Sequence, residues 1–184
     1  MLTMYDIYSN AQDDLWRFTL GKSGSRQLLT VGLNPSTATK DKSDTTVTKV
    51  AGVARRNGFD GFVMLNLYPV RSTNYHALPL DVDAEAFAEN LHCIEALVAA
   101  DPTPMVWAAW GENIWGRSYF SATALELFAR LQKYGTTWQH FGTLTKSGHP
   151  RHPSRLNYAW SFSEFDIWHY AQTLSRPLAM HSSP

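Results

Sequence analysis

The chain has 184 residues, of which 44% are hydrophobic and 17% charged, and its formal net charge is zero. This length allows one domain with a proper core, and zero net charge argues against a general polyelectrolyte binder while leaving room for a local basic patch. The single cysteine, Cys93, excludes an intramolecular disulfide and any cysteine-clustered zinc or iron–sulfur site.

Stretches of helical periodicity alternate with apolar runs along the chain. The pattern predicts strands over 15–20, 27–33, 61–67, 104–110 and 137–141, and helices over 46–56, 81–100, 121–134 and 163–174. Ser121 is expected to be the N-cap of its helix. Strands that are apolar throughout and alternate with helices indicate a parallel sheet covered on both faces. We therefore predict an α/β fold with three layers, α/β/α, around a central, mostly parallel four-stranded sheet.

The same pattern predicts the limits of the domain and its location. One domain is expected over residues 1–175, followed by a flexible tail over 176–184 that contains proline and serine. No apolar run approaches the roughly 18 residues of a membrane span, and the N-terminus has no signal-peptide pattern. The expected location is therefore the cytoplasm.

An unusual motif follows each of the four apolar strands. In chain order the motifs are G-L-N-P-S-T-A at 32–38, N-L-Y-P-V-R at 66–71, W-G-E-N at 110–113 and G-H-P-R-H-P-S-R-L-N at 148–157. In parallel sheets, ligands bind just beyond the carboxyl ends of the strands. We therefore expect all four motifs to converge on one cleft.

Two asparagines and one arginine in these motifs are candidates for ligand contacts. Asn34 lies on a turn made rigid by Pro35, so its amide could hold a water molecule, unless the turn has no function. Asn66 ends an apolar strand, where an amide is costly unless it is paired, so it is either a satisfied structural amide or a reader of a ligand's hydrogen-bonding edge. Arg71 could contact a phosphate or be solvated.

The last motif combines two histidines with basic side chains. His149 and His152 each precede a proline, and a metal site is disfavoured because no matching carboxylate is nearby. A rigid basic loop with histidines suits an anionic ligand and a developing negative charge better. The cations of this region are Lys146, Arg151 and Arg155.

The order of the motifs resembles the uracil-DNA glycosylase superfamily. Gly32-Leu33-Asn34-Pro35 is similar to the first motif of its mismatch-specific thymine/uracil branch, Trp110-Gly111 to its Trp-Gly, and the segment 152–156, His-Pro-Ser-Arg-Leu, to its final motif. The motifs GLNPSTA, NLYP, WG and GHPRHP also resemble, over most of the chain, a bacterial and phage domain family of unknown function.

The resemblance implies a uracil-DNA glycosylase-like fold and a role for each matching residue. Asn34 would position the attacking water with Asp44 as helper, although Asp44 could equally cap a helix. His152 would stabilise the leaving base, with His149 second, and Leu156 would be inserted into the duplex. The expected base-binding residues are Gly32, Pro35, Ser36, Thr37, Asn66, Tyr68 and Trp110. The expected DNA-binding residues are Arg71, Lys146, Arg151, Ser154, Arg155 and Leu156.

Two departures from the resembled family bear on the substrate. Uracil-specific members have an aspartate where this chain has Asn34, and a tyrosine that blocks 5-substituents where it has Ser36, Thr37 and Ala38. We therefore expect a metal-independent DNA glycosylase without a cofactor that removes a bulky modified pyrimidine from duplex DNA and leaves an abasic site. Phage genomes contain such bases, so a role in anti-phage defence is expected. No membrane and no obligatory protein partner is expected.

Two other functions remain open on the sequence. Because Asn34 cannot act as a general base, the protein could be a reader that binds a modified base or nucleotide without cutting it. A hydrolase of free nucleotides or nucleosides could use the same fold. Formation of abasic sites would distinguish the glycosylase from both.

Overall fold

A computed structural model describes residues 4–175. Residues 1–3 and the tail expected over 176–184 lie outside the described part of the chain. The strands are β1 Ile7–Ala11, β2 Trp16–Lys22, β3 Gln27–Gly32, β4 Gly61–Asn66, β5 Met105–Ala108, β6 Thr137–Phe141 and β7 Phe162–Glu164. They form one seven-stranded sheet in the order β1-β2-β4-β3-β5-β6-β7.

The sheet is mixed, with a parallel centre. β4, β3, β5 and β6 pair in parallel, whereas β1 with β2, β2 with β4, and β6 with β7 pair antiparallel. The predicted α/β class is confirmed, but the prediction of a four-stranded sheet is wrong. β1 and β7 are short and mostly half-buried or exposed, so neither has the apolar pattern by which the central strands were recognised.

Four helices connect or follow the strands: α1 Thr45–Arg56, α2 Ala84–Ala99, α3 Ser118–Leu131 and α4 Ile167–Leu174. Three begin at an aspartate whose side chain accepts a hydrogen bond from a backbone N–H of the first turn, which is a favourable N-cap. These aspartates are Asp44 of α1, Asp83 of α2 and Asp166 of α4.

The starts of the last two helices differ from the prediction. α3 begins at Ser118 without a side-chain cap, and Ser121 lies inside it, donating to the Ser118 carbonyl at 3.1 Å. The helix predicted over 163–174 overlaps the last two residues of β7, and in the structure the helix begins only at Ile167. β7 has three residues and is held by backbone pairing with β6, so its side-chain pattern does not predict a strand.

Side chains of the central strands alternate between two cores on opposite faces of the sheet. Phe62 and Met64 of β4 pack in one cluster with buried residues of α1. Val63 and Leu65 of the same strand pack in the other cluster with residues of α2, α3 and α4. Asn66, two residues after Met64, therefore belongs to the face covered by α1.

Two features are absent from the described residues. Between residues 4 and 175, no helix combines the length and the apolar character that crossing a membrane requires. Within the same range, no group of three or more His, Cys, Asp or Glu side chains is arranged to hold a metal ion.

Candidate functional site

A cleft of about 710 Å³ lies at the carboxyl ends of the four parallel strands. Each loop that follows one of these strands contributes to its lining, and so does the beginning of α1. Of the residues expected in the site, the structure brings together Asn34, Ser36, Asp44, Asn66, Trp110, Lys146, Arg151, His152, Ser154 and Arg155. The other candidates lie outside the lining: Gly32, Pro35, Thr37, Tyr68, Arg71, His149 and Leu156.

The amide of Asn34 is held in one orientation by the backbone. Its Nδ2 donates to the carbonyl of Pro35 at 3.1 Å and to the carbonyl of Ser72 at 2.9 Å. Because both amide protons are used, only the carbonyl oxygen Oδ1 remains for a ligand. Asn34 can therefore accept a hydrogen bond from a water molecule in the cleft, but it cannot also donate one.

Asp44 links the first loop to α1. Its Oδ1 accepts from the backbone N–H of Val47 at 2.9 Å, and its Oδ2 accepts from that of Ala38 at 3.3 Å. The N-cap role considered from the sequence is thus confirmed. Because each carboxylate oxygen has more than one lone-pair direction, this arrangement still leaves capacity to accept from a water in the cleft.

Asn66 is a buried amide without partners. The residue is only 1% exposed, and within residues 4–175 neither Oδ1 nor Nδ2 has a hydrogen-bond partner. Leaving a buried polar group unpaired costs about 1–3 kcal/mol. Since Asn66 lines the cleft, a bound ligand could satisfy both atoms at once.

Gly32 makes room for this amide at the end of β3. A Cβ at Gly32 would lie 2.9 Å from Asn66 Oδ1 and closer still to the methyl group of Met64. Any side chain at this position would therefore displace Asn66 or Met64. Gly32 was expected to bind the base, but its contribution is the space it leaves beside Asn66.

His152 is held through one ring nitrogen. Its Nδ1 accepts from the backbone N–H of Ser154 at 3.3 Å and lies 2.8 Å from the Ser154 hydroxyl. A backbone N–H can only donate, so in the neutral ring the proton is on Nε2. Burial lowers the pKa of His152 from 6.5 to about 4, opposed by the charge of Asp44 and assisted by that of Arg155. At neutral pH the side chain therefore offers a neutral Nε2–H donor.

The Trp-Gly loop supports the histidine loop. Gly111 has φ of 77°, which favours glycine, and donates its N–H to the carbonyl of Pro150 at 3.0 Å. A Cβ at Gly111 would lie only 3.0 Å from the Cβ of His152. The glycine therefore allows the two loops to approach each other closely enough to place His152 in the cleft.

His149 belongs to a buried network behind the cleft. Its Nδ1 lies 2.8 Å from the hydroxyl of Tyr170, which also accepts from Nε1 of Trp110 at 3.0 Å. Burial lowers the pKa of His149 and raises that of Tyr170. The structure thus gives His149 a supporting position under Trp110 and not the position of a second residue at the leaving base.

The expected phosphate contacts fall into two groups. Lys146 and Arg155 are exposed at the mouth of the cleft. The Arg71 guanidinium instead donates to the carbonyls of Ser36 and Ala38, to the Tyr8 hydroxyl, and to Asp14 in a 3.1 Å ion pair. Both of its terminal nitrogens are thus engaged within the protein, whereas its Nε is buried and has no partner among the described residues.

Arg151 and Ser154, two further expected DNA contacts in the last motif, form hydrogen bonds within the protein. Arg151 Nε donates to the Thr143 carbonyl at 2.8 Å. Ser154 contacts His152 through both its hydroxyl and its N–H. Lys49 donates to the Ser154 and Leu156 carbonyls at 3.2 and 3.3 Å, which secures this loop against α1.

Other expected site residues are structural. Leu156 is 7% exposed and packs in the α1-side core, so it is not available for insertion into a duplex. The Tyr68 hydroxyl accepts from the Asp83 N–H at 2.8 Å, at the start of α2. Pro35 is buried, Thr37 is exposed outside the cleft, and Ala38 is fully buried. Of the small run at 36–38, only Ser36 faces the cleft.

The structure adds lining residues that are not among the candidates from the sequence. Among them are Arg17, Tyr75, Glu112 and Thr145. Tyr75 is half-buried and packs against Gly116, where any side chain would collide with its ring. Tyr75 lies in the loop that follows Asn66, so its position after a central strand is a signal that could have identified it. For Arg17, nothing local in the sequence distinguishes it from a solvated arginine on a strand.

Comparison with known proteins identifies one family. A family model described as "Protein of unknown function (DUF1643)" matches residues 14–154. The matched segment includes the four strands of the parallel centre and the cleft residues up to Ser154. No curated protein and no solved structure matched the chain.

Proposed function

The chain belongs to the DUF1643 family, whose description assigns no activity, and we propose that its cleft binds a pyrimidine nucleotide turned out of DNA and hydrolyses its N-glycosidic bond. The observation that carries the proposal is the unpaired amide of Asn66 in the cleft. One amide offers a donor and an acceptor side by side, which matches the paired donor and acceptor on the edge of a pyrimidine. The proposal includes a three-layer arrangement similar to that of uracil-DNA glycosylases.

The other cleft residues support the chemistry of this reaction. As the bond from C1′ to the base breaks, its electron pair leaves with the base, and the Nε2–H of neutral His152 donates to the developing negative charge. A water molecule that donates to Asn34 Oδ1 attacks C1′ and forms the new C–O bond. The proton it releases passes to Asp44. Glycosylases act on a nucleotide rotated out of the stack, which brings the base within reach of such a cleft.

The size of the cleft favours a substituted pyrimidine. Its volume of about 710 Å³ lies within the range of small-molecule sites and leaves room beyond an unmodified base. Ser36 offers a hydroxyl in the lining that could hydrogen-bond a polar substituent. The proposed substrate is therefore a bulky modified pyrimidine, and phage DNA that contains such bases makes anti-phage defence the proposed role.

The test is the formation of abasic sites in three DNAs. These are phage DNA with hydroxymethylated or glucosylated pyrimidines, DNA of the same phage grown without the modification, and a duplex containing uracil. The proposal expects abasic sites in the modified DNA alone. Cleavage of the uracil duplex alone would overturn the proposed substrate, and the absence of abasic sites in all three would overturn the proposed reaction.

A reader without catalytic activity is the second candidate. The observation that favours it is the engagement of both Asp44 oxygens by backbone N–H groups together with an Asn34 amide that can only accept. Neither group is a strong general base in this arrangement. A reader would bind the modified DNA more tightly than the unmodified DNA and leave it intact.

Ser36 should control the space beside the base. Ser36→Tyr would place a ring in the cleft, so we expect excision of the bulky modified base to fall by at least about tenfold. The matched variant is Thr37→Tyr, because Thr37 is exposed outside the cleft and its ring would extend into solvent. Equal rates of abasic-site formation in the two variants would contradict this placement.

Lys146 and Arg155, the two exposed cations at the mouth of the cleft, should contribute to DNA affinity and to its dependence on salt concentration. Lys146→Ala or Arg155→Ala is expected to weaken DNA binding and to reduce the slope of log K against log salt by about 0.9 per lost phosphate contact. Titrations at several salt concentrations measure both quantities. Lys22→Ala, at the far end of β2 and exposed, is the control. Slopes identical to the wild type in both mouth variants would show that these cations are only solvated.

A further inference from the structure

Arg17 is a buried cation in the lining of the cleft. It is 2% exposed and lies near the start of β2. A guanidinium has five N–H donors, yet among the described residues the Arg17 guanidinium makes one hydrogen bond, from Nη1 to the Ala38 carbonyl at 3.1 Å. Its Nε is buried, and no described residue supplies it with a partner. Arg17 therefore has donor capacity that the protein does not use.

Arg17 also lacks an ion-pair partner among the described residues. Within residues 4–175, no carboxylate forms an ion pair with it, and the nearby Asp14 is paired with Arg71 at 3.1 Å. Burial lowers the pKa of Arg17 to about 10, the charge of Arg71 acts in the same direction, and Asp44 opposes them. A buried guanidinium normally has a carboxylate or phosphate partner, because the loss of hydration is otherwise costly.

The topology explains how this cation reaches the cleft. β2 runs antiparallel to β4, so its first residues lie at the edge where the parallel strands end. The backbone N–H of Arg17 accordingly donates to the Pro69 carbonyl, just beyond β4, at 2.9 Å. On the other side, Thr46 and Val47 of the first turn of α1 line the same cleft, and the positive end of a helix also favours an anion.

We propose that Arg17 binds the phosphate group of the nucleotide whose base is read by Asn66. The inference deepens the proposed function and rests on it for the identity of the nucleotide, but the phosphate site is carried by Arg17 itself. A guanidinium can donate two parallel hydrogen bonds to one phosphate, and such charge-assisted bonds are strong. The phosphate belongs either to the DNA strand at the extruded nucleotide or to a free mononucleotide.

The carboxylate of Asp44, whose charge acts on Arg17, would oppose an anion here. Both of its oxygens accept from backbone N–H groups, at 2.9 Å from Val47 and 3.3 Å from Ala38. Its charge is therefore partly neutralised by the end of α1. Glu112 is the other carboxylate of the lining. Of the two arginines Arg17 and Arg71, only Arg71 has an ion-pair partner within the described residues.

Inorganic phosphate tests the site without assuming a base. We expect phosphate to raise the melting temperature of the wild-type protein in a saturable way when ionic strength is held constant with chloride. Arg17→Gln should remove this shift, and Lys22→Gln, an exposed cation on the same strand, should retain it. An equal phosphate shift in wild type and Arg17→Gln would overturn the proposal.

A lysine variant covers the case in which Arg17→Gln does not fold. Arg17→Lys retains the charge but loses the paired donors, so phosphate affinity measured by calorimetry should fall by about tenfold. An arginine with a purely structural role would leave that affinity unchanged, and this result would overturn the proposal.

Nucleotide probes then identify the source of the phosphate. 2′-Deoxyuridine 5′-monophosphate should bind more tightly than 2′-deoxyuridine, and the difference should disappear in Arg17→Gln, if the ligand is a free nucleotide. If the ligand is a DNA strand, the dependence on Arg17 should appear for a short oligonucleotide and not for the monophosphate. If neither probe depends on Arg17, the proposal fails. Phosphate binding through Arg17 without abasic-site formation would refute the glycosylase and leave the phosphate site intact.

Discussion

Asn66→Ala is expected to slow base excision by about a hundredfold to a thousandfold without lowering the stability of the protein. The variant removes the donor and acceptor that would read the base, and loss of such a preorganised contact costs about a hundredfold to a thousandfold in rate. It also removes two buried polar atoms that have no partner in the described protein, which relieves an unfavourable term of about 1–3 kcal/mol. Rates of abasic-site formation and urea unfolding measure the two effects.

Asn90→Ala is the matched control, because Asn90 is also a fully buried asparagine. Its Nδ2 donates to the backbone carbonyls of Asn66 and Leu67 at 2.9 and 3.3 Å. Asn90 Oδ1 has no partner among the described residues, but the variant leaves two carbonyls without that donor, so we expect the free energy of unfolding to fall by about 1 kcal/mol. If Asn66→Ala destabilised the protein as much as Asn90→Ala, the Asn66 amide would be structural and not a ligand contact.

The rate should depend on His152 in a way that identifies its protonation state. His152→Ala is expected to lower the excision rate by about a hundredfold to a thousandfold, because it removes the donor to the departing base. Burial holds the pKa of His152 at about 4, so the neutral ring is the form that would donate to the base. Because this ring stays neutral between about pH 8 and about pH 5, its protonation should not change the wild-type rate over that interval. A fall in rate centred between pH 6 and 7, absent from His152→Ala, would contradict a neutral donor.

The same histidine links stability to pH. In the unfolded chain His152 takes up a proton near its ordinary pKa of 6.5, but in the folded protein only near a pKa of about 4. The unfolded state therefore binds more protons between these values, and stability is lost as the pH falls from 6.5 toward 4. His152→Ala should show a weaker loss over this interval in urea unfolding.

The central strands and the loops that follow them could be predicted because their signals are local. Four apolar runs, each followed by a polar motif, are visible in the sequence, and parallel pairing brings their ends to one edge. Arg17 could not be predicted in this way. Its place in the cleft depends on the antiparallel pairing of β2 with β4, a long-range contact that the residues around it do not encode.

Long-range partners also explain why several residue roles were misjudged. Arg71 was assigned to phosphate from its residue type, but its partners Tyr8 and Asp14 lie 63 and 57 residues away in the chain. Leu156 was assigned to duplex insertion from its motif, yet it packs in the α1-side core. For Asp44 the capping pattern was recognisable, and its role toward water remains a prediction.

The buried contact of Tyr170 with Trp110 and His149 determines how much of the chain is needed to keep the cleft loops in place. Among residues 4–175, every side chain that lines the cleft comes before residue 156, so a fragment truncated shortly after this point would contain all of these lining residues. It would lack α4, and with it the hydroxyl that pairs with the Trp110 indole and the His149 ring. These buried groups sit in the two loops that meet at Gly111 and Pro150. We therefore expect a fragment that ends before α4 to lose the proposed activity although it retains the cleft residues, and a fragment that extends through α4 to retain it.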